Sequence, residues 1–272
     1  NVANLITNWS TVTFTPTTIQ LTLNGATSGV LTITHGDSVA VNATVTPNSG
    51  TGTPTGNVTL YYGFIGIEGS TLDLFHLSNG NASGSTNSLP GRSLVGYSIW
   101  AHYSGDGTYA PSDSNKVGVT VNPEPSTTTV SLSGSDLSGR PLTSPFPFGS
   151  LVFVRADVAG NSGKGTATGS VTFTDSFGPI PSANPQVNPP VAVMNNPPLN
   201  SQGNTSIGDG IISFDAGNHS ISASYGGDPS FSPSSSAGPV TFTVQPGFAL
   251  VSGPTNVSIS AAGTSGTSTL GI

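Results

Sequence analysis

The chain has 272 residues, a formal net charge of −7 and only 6% charged residues, against roughly 25% in ordinary soluble proteins. Its 5 Lys and Arg residues leave no cationic surface to neutralise a phosphate backbone, so no nucleic-acid partner is expected. The absence of cysteine excludes disulfides, thiolate metal sites and thiol catalysis.

Taken in chain order, residues 1–16 end in Thr11-Val-Thr-Phe-Thr-Pro16. This stretch alternates like one strand, with Val12 and Phe14 on one face. It is similar to two later segments, Val119-Thr-Val-Asn-Pro123 and Phe242-Thr-Val-Gln-Pro246. Residues 1–16 are therefore predicted to be the closing strand of a preceding domain or of a neighbouring subunit's domain. Residues 17–124 form a first predicted domain of short runs that alternate apolar and polar residues, with Gly, Pro, Asn and Ser between them, which is the pattern of a β-sandwich. The hinge Glu124-Pro125 leads into a second domain over residues 125–246, which repeats the first. Gly36–Val45 matches Gly149–Val158, Thr53–Leu60 matches Thr166–Phe173, and Tyr97–Asp106 matches His219–Asp228. The hinge is too short for free tumbling, and a semi-rigid rod is expected. The second copy carries an insertion, the Pro-rich loop 178–200, with seven prolines from Pro179 to Pro198. Proline donates no ladder hydrogen bond, so this segment is not an internal strand. Residues 247–272 read as the first strands of a further domain or as a C-terminal extension, with Phe248, Leu250, Val257 and Ile259 in alternating positions. No helical periodicity appears, and no apolar run is long enough to cross a membrane as a helix, so membrane insertion is not expected. The fold class is all-β.

Two motifs narrow this further. Pro54-Thr-Gly-Asn-Val-Thr59 is followed by Tyr103-Ser-Gly-Asp-Gly-Thr-Tyr-Ala-Pro-Ser112 in the first copy and by Tyr225-Gly-Gly-Asp-Pro-Ser-Phe-Ser-Pro-Ser234 in the second. The pattern resembles the bacterial Ig-like repeat family of large exported proteins, over about residues 17–246. The resemblance implies tandem immunoglobulin-like antiparallel β-sandwiches. It also implies a secreted location at the bacterial cell surface and a spacer, stalk or adhesin-shaft role, and it is silent on ligand. An isolated strand is marginal in water, so the two end segments need partners. One reading is head-to-tail assembly with other copies of the chain by β-strand complementation, through Val12, Phe14, Phe248, Leu250, Val257 and Ile259. The other is that the chain is a fragment of a longer protein, or that the ends pack on their own domains.

Catalytic signals are sparse, and no enzyme activity or cofactor is expected. His35, His76, His102 and His219 lie far apart, and no Gly-x-Ser-x-Gly, phosphate-binding or His-Glu-x-x-His motif occurs. Asp106 and Asp228 sit in equivalent Gly-Asp turns. They read either as calcium ligands or as turn residues whose carboxylates accept nearby N–H groups, and the lack of neighbouring acids, apart from Asp113 in the first copy, favours the turn. Comparison of the copies supplies the best site. Tyr97, Ile99, Ala101 and Tyr103 match His219, Ile221, Ala223 and Tyr225 and mark an inward face. Trp100 and His102 then point outward where the second copy has Ser222 and Ser224, and Tyr61 does so where it has Thr174. On neighbouring strands these three would form one aromatic patch, to be covered by the chain's own N-terminal segment or Phe64–Phe75 loop, by a protein partner, or by a glycan. The expected function is a structural subunit of an extracellular filament, stalk or surface layer. The alternative is an adhesin shaft that binds a glycan or a surface protein through Tyr61, Trp100 and His102.

Overall fold

The computed structural model describes residues 13–64, 69–178, 183–184, 191–192, 196–208, 214–247, 251–252 and 270–271. Contacts divide the chain into two units. The first comprises Asn1–Thr127 with the loops Ala159–Ala167 and Gly226–Ser234; the second comprises Thr128–Val158, Thr168–Tyr225 and Ser235–Ile272. Among the described residues there is no helix.

The first unit holds β1 (Thr17–Leu23), β2 (Val30–Thr34), β3 (Val39–Pro47), β4 (Asn57–Gly63), β5 (Ser70–His76), β6 (Asn81–Thr86), β7 (Arg92–Tyr103), β8 (Ser112–Asp113) and β9 (Val117–Asn122). One sheet has the order β1-β3-β6, the other β2-β9-β7-β4-β5, with β8 also on β7. All pairs are antiparallel except β2 with β9. Alternation fixes the register: Ile19, Leu21 and Leu23 lie opposite Val45, Ala43 and Val41, and all six are buried. From the other sheet Val58, Leu60, Ile99, Ala101, Tyr103, Val117, Val119 and Val121 close the core. Each such aliphatic side chain contributes roughly 1.5–3 kcal/mol by leaving water.

The second unit is built from β10 (Ser126–Ser135), β11 (Pro141–Leu142), β12 (Leu151–Gly160), β13 (Val171–Asp175), the short pair β14 (Ala183–Asn184) and β15 (Val191–Ala192), β16 (Asn204–Ile207), β17 (Gly217–Tyr225), β18 (Ser234–Ser235), β19 (Val240–Val244), and the pair β20 (Val251–Ser252) and β21 (Leu270–Gly271). Its two main sheets run β11-β10-β12-β16 and β13-β17-β18, with β19 also on β17. Val152, Val154, Ala156, Phe173, Ile207, Ile221, Ala223, Phe242 and Val244 are buried between them. The repeat extends to backbone conformation. Gly36 and Gly149 have φ of +82° and +84°, and Gly105 and Gly227 have φ of +79° and +85°. Only glycine adopts this region without cost, so each copy turns at the same points for the same reason.

Most of the Pro-rich loop lies outside the described residues, as do Val12, Phe248, Leu250, Val257 and Ile259. Phe14 is described. It belongs to no strand and is 46% exposed, while its neighbour Thr15 makes a single parallel bridge to Tyr109 of the same unit.

Candidate functional site: an aromatic cluster on the outer sheet face

β4 and β7 are hydrogen-bonded neighbours, and their register sets Tyr61 opposite Trp100 and Thr59 opposite His102. Because Leu60 and Ala101 point into the core, alternation sends these side chains to the other face. The Tyr61 and Trp100 rings stack with centroids 5.9 Å apart and planes at 17°. Tyr61 meets His102 edge-on at 6.4 Å. The Nδ1 of His102 lies 2.8 Å from a carboxylate oxygen of Asp113, which orients the ring.

All three aromatic residues are half-buried rather than fully exposed. A Cβ placed on Gly69 would fall 2.2 Å from Cη2 of Trp100, and one on Gly63 would fall 3.0 Å from the same atom. The indole therefore rests against two glycines that flank the β4–β5 connection. The ammonium of Lys116 sits 4.8 Å from the indole centroid, a cation–π contact. Tyr61, Gly69 and Lys116 thus cover much of Trp100 from within the chain, and what remains open is a mixed rim of Tyr61, His102 and Asp113.

Two other clusters form around the remaining buried histidines. In the first unit, buried His35 places Nδ1 2.7 Å from Glu124 Oε1. The same carboxylate accepts the Ser162 hydroxyl at 2.7 Å and the Ser162 N–H at 2.6 Å. Burial works against the charged form of Glu124, but the Ser162 donors and His35 outweigh it and hold its carboxyl below the usual range. In the second unit, His219 is enclosed by Phe177, Phe214 and Phe242 at centroid distances of 4.7, 5.1 and 4.9 Å. Its Nε2 donates to the Asp215 carbonyl at 2.8 Å, and its Nδ1 lies 2.6 Å from Asp175 Oδ2. Sequence reasoning placed His219 on the inward face but found neither carboxylate partner. The signal available was the exchange of Tyr62 and Tyr97 in the first copy for Asp175 and His219 in the second.

Asp106 serves its turn with four hydrogen bonds, accepting Thr55 N and Oγ1 at 2.9 and 2.8 Å and Thr108 and Tyr109 N at 2.8 Å each. Asp228 accepts Ser230 and Phe231 N at 2.7 and 2.9 Å. Among the described residues no three His, Cys, Asp or Glu side chains gather to hold a metal ion. Burial raises the Asp106 carboxyl, yet the N–H groups of Thr108, Thr55 and Tyr109 and the Thr55 hydroxyl hold it far below the usual carboxylate range. A group depressed in this way stabilises the fold above its unfolded value of 3.8, and the benefit is lost as pH falls toward the folded value. Urea unfolding from pH 5 to pH 2 should therefore show the first unit weakening with acid, and Asp106→Asn should reduce that slope. An identical slope in the variant would contradict the assignment.

A family model described as Bacterial Ig-like domain (group 3) matches residues 26–122 and again residues 140–245. A search of curated proteins returns no match.

Proposed function

We propose that this chain, which belongs to the bacterial Ig-like domain family, is a structural subunit of an extracellular filament, stalk or surface layer. Domains of this group usually occur in extracellular or surface proteins. The observation that carries the reading is repetition of a module whose stability is internal. Each copy buries its own apolar core, and its outer polarity comes from Ser, Thr and Asn rather than charge, with 6% charged residues in the chain. Such modules hold length and shape in varying salt, because little of their surface energy is ionic.

Within this reading, subunits join head-to-tail by strand complementation, residues 1–16 of one completing the sheet begun by residues 247–272 of another. Main-chain hydrogen bonds would supply the affinity and alternating side chains the register. A head-to-tail contact whose rotation does not close into a ring grows a polymer. Negative-stain electron microscopy of the full chain beside a variant lacking residues 1–16 tests it. Filaments that vanish on truncation are the expected result; dispersed short particles in both samples would overturn it.

The second reading is an adhesin shaft that uses Tyr61, Trp100 and His102. The clustering of the three residues favours it. The cover of Trp100 by Gly69 and Lys116 weighs against sugar stacking on the indole and leaves the Tyr61–His102 rim for a protein surface.

A further inference from the structure

The internal repeat makes one surface legible that neither motif nor pocket reveals. In the first unit the corner His35–Gly36 is covered by the loop Asn161-Ser162-Gly163. A Cβ on Gly36 would lie 2.3 Å from the Cβ of Ser162, so the serine occupies the space that glycine leaves. Beside it, His35 meets Phe231 edge-on at 5.1 Å, and a Cβ on Gly165 would be 3.4 Å from the imidazole Cε1. The covered corner thus has two halves, a ring followed by glycine, and an Asn-Ser-Gly loop backed by an aromatic residue.

Each half occurs a second time. Alignment of the copies places Phe148-Gly149 where the first has His35-Gly36, and Asn48-Ser49-Gly50 where the second has Asn161-Ser162-Gly163. Tyr109 stands for Phe231, and Gly52 for Gly165. The Phe148–Gly149 corner and the Asn48–Gly50 loop are open, whereas Tyr109 is buried with its hydroxyl against Gly52. Among the described residues, no atom lies within 4 Å of a Cβ built on Gly149 or on Gly50. Phe148 is 50% exposed, and Ser49 is exposed. The backbone is nevertheless set for the same contact, since Gly36 and Gly149 share their φ to within 2°, at +82° and +84°.

We propose that the two open halves are partners: the Phe148–Gly149 corner of one copy docks on the Asn48–Gly50 loop of a second copy. The inference rests on the filament reading and names a contact within it. The chemistry differs from the covered corner in one respect. Phenylalanine replaces the histidine, and Gly247 stands where Glu124 would supply the carboxylate, so the contact is apolar and uncharged. Its strength should vary little with salt between about 0.05 and 0.5 M, where an ion pair would be screened. Each copy carries one half of each kind, so the contact is heterologous and propagates.

The absence of cysteine gives a clean test. A chain carrying Phe148→Cys and Ser49→Cys, positions whose counterparts His35 and Ser162 both reach one carboxylate oxygen of Glu124 at 2.7 Å, should form a ladder of oxidised oligomers on a non-reducing gel, while each single variant stops at a dimer. Circular dichroism establishes that the double variant is folded. Phe148→Asp in the otherwise intact chain gives a second measurement should it not be. Sedimentation velocity should show the intact chain associating with rising concentration and Phe148→Asp associating at least about tenfold more weakly, as loss of an apolar anchor does. Monomers only in the oxidised double variant, or equal association of Phe148→Asp and the intact chain, would overturn the contact. Filaments that persist in Phe148→Asp but vanish without residues 1–16 would remove the docking contact and leave the strand-complementation reading standing. A crosslinked ladder from material that shows no filaments would do the reverse.

Discussion

Replacing Asp175 with alanine should lower the stability of the second unit by about 2–4 kcal/mol, the cost of leaving buried hydrogen-bond donors without their acceptor. Both side chains of the His219–Asp175 pair are almost wholly removed from water, at 2% and 3% exposure. Asp175 also accepts the Ser220 N–H at 3.1 Å through its other oxygen, so the substitution orphans two donors inside a box of three phenylalanines. An unpaired buried polar group bears its full desolvation cost. The first copy supplies the control. At the same two positions it carries Tyr62 and Tyr97, whose rings pack 5.5 Å apart, while the Tyr97 hydroxyl donates to the Pro90 carbonyl at 3.1 Å. Asp175→Tyr combined with His219→Tyr transplants that solution and should cost less than Asp175→Ala alone, the non-additivity expected of residues in contact. Guanidinium unfolding of the three proteins reads the comparison. A loss under about 1 kcal/mol for Asp175→Ala would mean that the aromatic box, not the pair, holds the site.

The same residues show where sequence reading succeeds and where it stops. Period-two alternation over Val39–Val45 is a local signal, and all four positions of its inward face, Val39, Val41, Ala43 and Val45, are buried. Comparing the copies turned that signal into orientation, and the register of β4 with β7 sets Tyr61 against Trp100. Of the residues that cover Trp100, Gly69 lies in the Phe64–Phe75 loop that the sequence offers as one cover, whereas Lys116 was not legible. The β4–β5 pairing shifts register between Leu60 and Tyr61, which a strand pattern does not encode, and Lys116 arrives from the loop that precedes β9. The carboxylate partners were equally hidden, because His35 and Glu124 are 89 residues apart and His219 and Asp175 are 44 apart. A hinge glutamate reads as solvated in a one-dimensional pattern. Only the folded chain shows it at 2% exposure.

Glu124 yields the other large effect. Its carboxylate is the shared acceptor for His35, the Ser162 hydroxyl and the Ser162 N–H, and the backbone on either side is fixed, with Glu124 N donating to Ser230 O and Ser232 N to Glu124 O at 2.9 and 2.8 Å. Glu124→Ala removes the acceptor while the backbone holds the donors in place, so it should destabilise the first unit by about 3 kcal/mol. Glu124→Gln keeps an amide oxygen for Ser162 and an amide donor toward the ring, and it should lose less, about 1–2 kcal/mol. The pH dependence separates charge from shape. The Glu124 carboxyl is held below its ordinary value of 4.5, so its stabilisation is complete above that value and fades as pH falls toward the folded one. The gap between the intact protein and Glu124→Ala should therefore be constant from about pH 5 to 7 and narrow below about pH 4. A gap of the same size at pH 3 as at pH 7 would show that the side chain acts by packing alone and that its charge contributes nothing to the corner it closes.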